Sequence, residues 1–148
     1  MSKPVKVAVL LAGCGHLDGA EVREAVLTLL ALDQIGAVVQ CIAPNAPQHH
    51  VVNHITGEPV ADAQRNMLEE SSRIARQGQC MDLAQARVQD FDALIMPGGY
   101  GVAKNHCSFA FQGVDADVRP DVLAFVSGFF GHLAAQYAVA GAYRTLWR

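Results

Sequence analysis

The chain has 148 residues, a length typical of a single domain with one buried core. Its formal net charge of −3 and its scattered basic residues argue against a general nucleic-acid binder, which would carry a basic stripe. No apolar run approaches the roughly 20 residues that a membrane-spanning helix needs, so no membrane partner is expected.

The first predicted element is a buried strand over residues 5–11, a short apolar run rich in β-branched residues. The loop AGCGHLDG follows, and a helix is predicted next with Asp18 as its N-cap and Glu21 as its capping-box partner. The helix ends at Gly36, and AVVQCIAP over residues 37–44 predicts a second strand. The first 44 residues therefore predict a β-α-β unit.

The N-terminus also has some features of a bacterial lipoprotein leader, because LAGC follows two lysines and a short apolar stretch. Only residues 7–12 separate Lys6 from Gly13, which is short for the apolar region of a signal peptide. A buried strand that leads into a helix explains the same residues and the next twenty as well. We therefore favour the strand.

The middle of the chain predicts a long loop over residues 45–59, with a small hairpin as an alternative. Asp62 is predicted to cap a helix that runs to about Arg76, and a short helix is predicted at 81–88. The segment FDALIMPGG predicts the third strong strand, and a last helix is predicted over residues 118–133. Alternating strands and helices predict an α/β fold with a parallel sheet covered on both faces.

Four cysteines, at positions 14, 41, 80 and 107, form no CxxC pair. This pattern predicts free thiols in a reducing compartment and hence a cytoplasmic protein. Cys14 lies between a strand end and a helix start, where its pKa is expected to be lowered. Cys107 follows His106, but neighbours in sequence rarely point together, so a Cys–His pair is disfavoured.

Two glycine-rich segments follow predicted strands: the first glycine loop, GCGHLDG (residues 13–19), and the second glycine loop, PGGYG (residues 97–101). In open α/β sheets, ligands bind beyond the carboxyl ends of the strands. Neither loop matches a nucleotide-binding fingerprint, and Lys104 lacks the hydroxyl residue that would ligate magnesium. Plain turn chemistry, with glycines supplying positive φ, is the alternative interpretation.

Histidines 49, 50 and 54 could suggest a metal site, but zinc needs three or four converging ligands. No supporting cluster of cysteines or carboxylates is apparent in the sequence. We predict no metal and no cofactor.

Four blocks, LAGCGHLDGAEVREAVLTLLAL, VVNHITGE, NMLEESSRIARQG and DALIMPGGYGVAKNHCSFA, closely resemble the ElbB family. This family, named for enhancing lycopene biosynthesis, belongs to the PfpI-like branch of the class I glutamine amidotransferase-like superfamily. The resemblance covers about residues 5–126. It implies a flavodoxin-like three-layer α/β sandwich and a glutathione- and metal-independent glyoxalase III-like activity on small dicarbonyls, linked to isoprenoid biosynthesis.

The resemblance also implies a site. Glu24 matches the glutamate that lies against the nucleophile, where it would tune the thiol or move a proton; the alternative is a surface glutamate favoured by the helix dipole. Gly98 and Gly99 match the loop whose N–H groups form the oxyanion hole. Cys14, Gly15 and Asn105 are expected to line the pocket.

The chain departs from the family pattern at its C-terminus. The family's nucleophilic cysteine is expected shortly after residue 130, but the corresponding stretch, QYAVAGAYR, has none, and Ala140 falls near its position. We therefore expect one partial domain over residues 1–148, with a divergent tail at 127–148 that truncation or a frameshift explains better than genuine divergence. Impaired activity is expected, and the alternative is a non-catalytic small-molecule-binding or interaction module, or an inactive gene fragment. The exposed edge of an incomplete sheet favours a homodimer.

Overall fold

The computed structural model describes residues 3–133 and 140–141. Its strands form one parallel sheet in the order β3-β2-β1-β4-β5. The strands are β1 (Lys6–Leu10), β2 (Val38–Ala43), β3 (Cys80–Asp82), β4 (Ala93–Met96) and β5 (Ala140–Gly141). The chain runs outward from β1 to β2 and β3, then returns to β4 on the other side of β1. The strand order therefore reverses between β1 and β4, which is where open α/β sheets bind ligands.

Helices cover both faces of this sheet. The helices are α1 (Val22–Gln34), α2 (Met67–Ala75), the single turn α3 (Phe109–Gln112) and α4 (Pro120–Leu133). Residues of α1 and α2 pack with Val7 and Val9 in one core, whereas α4 packs with Ala8 and Leu10 in the other. Because successive β1 side chains point to opposite faces, one strand serves both cores. The predicted three-layer flavodoxin-like α/β fold is confirmed.

The start of α1 differs from the prediction. Glu21, not Asp18, is the N-cap, and its carboxylate accepts a hydrogen bond from the Glu24 amide at 2.7 Å. This hydrogen bond lowers the pKa of the Glu21 carboxyl. Asp18 fails as a cap because its own amide and that of Gly19 both donate to the Gly15 carbonyl. The first glycine loop thus closes on itself, and the helix begins three residues later.

The second helix is shorter than predicted. Helix α2 begins at Met67, because the Asn66 side chain accepts hydrogen bonds from the amides of Leu68 and Glu69. Asp62 lies before the helix with a φ of 59°. The helix ends at Ala75, close to the predicted end at Arg76.

Residues 81–88 do not form the predicted short helix. Strand β3 takes the beginning of this segment, pairing Cys41 with Cys80, and two turns of 3-10 helix follow, at Leu83–Gln85 and Val88–Asp90. The predicted loop at 45–59 contains one isolated antiparallel bridge, between Val52 and Pro59.

The C-terminal region confirms the last helix and adds a short strand that the sequence did not predict. In β5, Ala140 pairs with Ile95 and Gly141 with Met96, so β5 extends the sheet beside β4. The other residues of the expected divergent tail, 134–139 and 142–148, lie outside the described residues. None of the described helices is both long and apolar enough to cross a membrane.

Candidate functional site

A cavity of about 490 Å³ lies beside the second glycine loop, at the reversal of strand order between β1 and β4. Its polar side chains are those of His16, Glu21 and Glu24, and residues 98–100 also line it. Its apolar wall consists of Val102, Ala103, Phe109 and Ala110. The cavity therefore contains two carboxylates, the backbone of the second glycine loop and an apolar surface.

Glu24 is held by the second glycine loop, 74 positions further along the chain. The Gly98 amide donates a hydrogen bond of 2.6 Å to the Glu24 carboxylate, and the Gly98 carbonyl accepts one of 2.7 Å from the Glu21 amide. A Cβ at position 98 would collide with the Glu24 carboxylate. Glu24 is thus oriented by a specific contact, rather than being only a dipole-favoured surface residue.

The two glycine loops pack backbone against backbone. Gly99 has a φ of +116°, and a Cβ there would lie 2.5 Å from both the Glu21 nitrogen and the Gly19 oxygen. The amides of Tyr100 and Gly101 donate to the carbonyls of His16 and Gly19, at 2.8 and 2.9 Å. Glycine is required at position 99 because only a residue without a side chain allows this approach.

The two N–H groups predicted to form an oxyanion hole, those of Gly98 and Gly99, differ in their partners. Glu24 already accepts the Gly98 N–H, so this donor orients the carboxylate. The Gly99 N–H donates to no acceptor in the part of the chain that the structure describes. One of the two predicted donors therefore has no acceptor among the described residues.

No protein-family model matches the chain. The chain is 45% identical over 126 residues to the mitochondrial ES1 protein homologue of Rattus norvegicus, covering 85% of this chain and 47% of that protein. It is 47% identical over 117 residues to the mitochondrial glutamine amidotransferase-like class 1 domain-containing protein 3 of Homo sapiens, covering 79% of this chain and 43% of that protein. The chain thus spans about half the length of the curated relatives it matches.

The chain is also similar to a solved structure. That structure is of the isoprenoid biosynthesis protein with an amidotransferase-like domain from Ehrlichia chaffeensis. It has 44% sequence identity and a TM-score of 0.83, covering 93% of this chain and 62% of that one. The chain belongs to the class I glutamine amidotransferase-like superfamily.

The names of these relatives contradict the predicted cellular compartment. The rat and human proteins are both named as mitochondrial, so the cytoplasmic prediction is wrong. That prediction used only the pattern of free cysteines, which indicates a reducing environment but does not identify the compartment. The four cysteines are free in the structure, as predicted.

The predicted pKa of Cys14 is also wrong in direction. Burial raises the pKa of this thiol, and the nearby Glu70 carboxylate raises it further. Cys14 does not line the cavity around Glu24. A raised pKa argues against an activated thiolate at the first glycine loop, and a pocket role for Cys14 stays a prediction.

Gly15 and Asn105 organise the loops around the cavity. Gly15 has a φ of +128°, and a Cβ there would lie 2.6 Å from the Asp18 carboxylate. Asn105 lies on a π-helical turn, Val102–His106, and its amide group donates to the carbonyls of Ala12 and Asp18, both at 2.8 Å. Neither residue lines the cavity.

His106 and Cys107 point to different partners. The His106 Nε2 lies 3.2 Å from the Leu11 carbonyl, while the Cys107 thiol donates to the Val102 carbonyl at 3.4 Å. The disfavoured Cys–His pair is absent from these contacts. No metal-binding group of three or more His, Cys, Asp or Glu residues occurs within residues 3–133 and 140–141.

Asp18 is a structural residue whose position sequence reasoning missed. It is fully buried, and its Oδ2 accepts a hydrogen bond of 2.7 Å from the Val52 amide. Its Oδ1 has no hydrogen-bond partner among the described residues and lies 3.7 Å from the His54 Nε2. Asp18 thus fastens the loop at residues 45–59 to the first glycine loop.

Replacing Asp18 with alanine is expected to lower the free energy of unfolding by about 1–3 kcal/mol, because the buried Val52 amide loses its acceptor. Urea unfolding would measure the loss. The exposed Asp33→Ala variant is the control and should change stability by less than about 0.5 kcal/mol. Equal losses in the two variants would contradict the fastening role of Asp18.

Proposed function

We propose that the cavity is the acid–base and carbonyl-binding half of a glyoxalase III-like site for small dicarbonyls. The observation that carries this proposal is the Glu24 carboxylate, fixed at 2.6 Å on the Gly98 amide beside the unused Gly99 amide. A dicarbonyl whose oxygen meets the Gly99 N–H would come close to a carboxylate that can move a proton between adjacent carbons.

The complete reaction also needs a thiolate that adds to the aldehyde carbon and forms a hemithioacetal. The sequence has no cysteine after Cys107, and β5 carries Ala140 opposite Ile95, three residues before Gly98. We therefore propose that the chain binds dicarbonyls and that its turnover is impaired. The resemblance to the ElbB family and the isoprenoid biosynthesis name of the Ehrlichia protein support this class of function.

The alternative is a non-catalytic small-molecule-binding or interaction module, and the missing cysteine favours it. Both functions use the same cavity, so binding alone does not separate them. The discriminating property is whether a restored thiol leads to turnover.

The test measures lactate formed from methylglyoxal. We expect wild-type protein to give little lactate and the Ala140→Cys variant to give markedly more. In the Ala140→Cys background, Glu24→Gln should lower the rate by about 10²-fold or more, since it removes the proton-transfer group. Glu58→Gln, on an exposed loop, is the matched control and should leave the rate unchanged.

Two results would contradict the proposal. Rapid wild-type turnover would show that the missing cysteine does not impair the site. A rate in the Ala140→Cys background that is insensitive to Glu24→Gln would assign the chemistry to other residues. No lactate from any variant, with all proteins folded, would favour the binding module.

A further inference from the structure

The shape and charge of the cavity indicate which carbonyl compounds it accepts. We propose that its ligand is an uncharged aldehyde or ketone with an extended apolar substituent, larger than methylglyoxal, and that α-keto acids are excluded. This inference rests on the proposed function, because it names the substrate class of the same cavity.

The volume supports a ligand larger than methylglyoxal. At about 490 Å³, the cavity falls within the range of roughly 300–1,000 Å³ that encloses drug-sized ligands. A molecule as small as methylglyoxal would leave most of this space to water. A longer substituent would displace that water from the apolar wall.

The apolar wall lines the same cavity as Glu24 and the Gly99 backbone. Val102 is 1% and Ala103 6% exposed, so most of the accessible apolar surface belongs to Phe109 and Ala110 of α3. A carbonyl oxygen at the Gly99 N–H would leave the substituent to pack against this wall. Burial of apolar surface is favourable and grows with the area covered, so affinity should rise with chain length.

The charges in the cavity disfavour an anion. Glu21 and Glu24 both line it, and no lysine or arginine within residues 3–133 and 140–141 does. Glu21 has a cationic neighbour, Arg23, at 3.2 Å, whereas Glu24 forms no ion pair with any described residue. A ligand carboxylate next to the carbonyl would therefore lie close to the unpaired Glu24 carboxylate.

The N-terminus of α1 lessens this repulsion but does not cancel it. A helix N-terminus carries roughly half a positive charge, and it attracts anions through free amides. The Glu21 carboxylate already accepts the Glu24 amide there. A full negative charge on Glu24 thus outweighs the dipole at the ligand position.

Three unreactive or slowly reactive probes test the inference: methyl hexyl ketone, acetone and α-ketooctanoate, with dissociation constants from ligand-observed NMR. We expect methyl hexyl ketone to bind at least tenfold more tightly than either acetone or α-ketooctanoate. Glu24→Gln should strengthen α-ketooctanoate binding about tenfold, because it removes the charge and keeps the shape. Equal affinities for the three probes would overturn the inference.

A cavity-filling variant locates the bound ketone. Ala110 is exposed on α3, so Ala110→Trp should leave the melting temperature unchanged and weaken methyl hexyl ketone binding at least tenfold. Ala124→Trp, on the exposed face of α4, is the matched control. Unchanged affinity in the Ala110→Trp protein would place the ketone elsewhere and overturn the inference.

The lactate assay separates this inference from the proposed function. If Ala140→Cys protein converts methylglyoxal in a Glu24-dependent way but methyl hexyl ketone binds no better than acetone, only the substrate class is wrong. If the ketone selectivity holds and no variant gives lactate, the cavity binds such carbonyls without the proposed chemistry.

Discussion

Gly99→Ala is expected to lower the free energy of unfolding by about 2–6 kcal/mol, enough to unfold a marginally stable domain. Two effects add. A non-glycine residue at a φ of +116° costs about 1–3 kcal/mol. The new methyl group would also lie 2.5 Å from backbone atoms of Glu21 and Gly19, and relieving such overpacking costs about 1–3 kcal/mol more.

The control for this prediction separates backbone strain from the clash. Gly57 also has a positive φ, +80°, but a Cβ there would meet nothing within 4 Å. Gly57→Ala should therefore cost only about 1–2 kcal/mol. Urea unfolding of the two variants measures the difference. If both lost the same stability, the close packing of the two glycine loops would not contribute to folding.

The parallel α/β fold was predictable because its signals are local. Apolar runs such as residues 5–11 and 91–96 end in glycine-rich loops, and the first of them leads directly into a helical pattern. Strand β3 was not predictable in the same way. It has only three residues, Cys80–Asp82, and its conformation depends on pairing with β2, so a local pattern does not reveal it.

The site was less predictable than the fold because its contacts join distant parts of the chain. From local sequence, Glu24 is an ordinary helix residue, and only the family resemblance indicated its role. Asp18 matched a capping box, but its partner is the Val52 amide. Cys14 was expected to have a lowered pKa, yet the fold buries it and brings Glu70 near, which raises the pKa. Local patterns do not encode these distant neighbours.

His106 is expected to make stability fall as the pH drops from about 6.5 to about 4. The ring is fully buried, and burial is the main reason that its pKa falls from 6.5 to about 4. Its Nδ1 has no hydrogen-bond partner among the described residues, so a proton added there would be buried without an acceptor. Between about pH 6.5 and about pH 4, His106 is therefore protonated in the unfolded chain but not in the folded protein.

The direction of the pH dependence follows from this difference in proton binding at His106. Above pH 6.5 both states are neutral at His106; between 6.5 and about 4 only the unfolded state binds the proton, so unfolding becomes more favourable. At about 1.4 kcal/mol per pH unit, the full loss is about 3 kcal/mol. Burial also lowers the pKa of His50, which adds a loss of the same sign. Glu21 and Asp121 lose their contributions only below their usual carboxyl pKa values, because their pKa values are lowered too.

Urea unfolding between about pH 7 and about pH 5.5 isolates the histidine contribution from that of the carboxylates. His106→Gln keeps a donor for the Leu11 carbonyl and removes the titrating ring, so stability should depend less on pH in this window. Gln34→Asn, at an exposed position with no titrating group, is the control and should leave the dependence unchanged. An unchanged slope in the His106→Gln protein would show that this ring is protonated equally in both states.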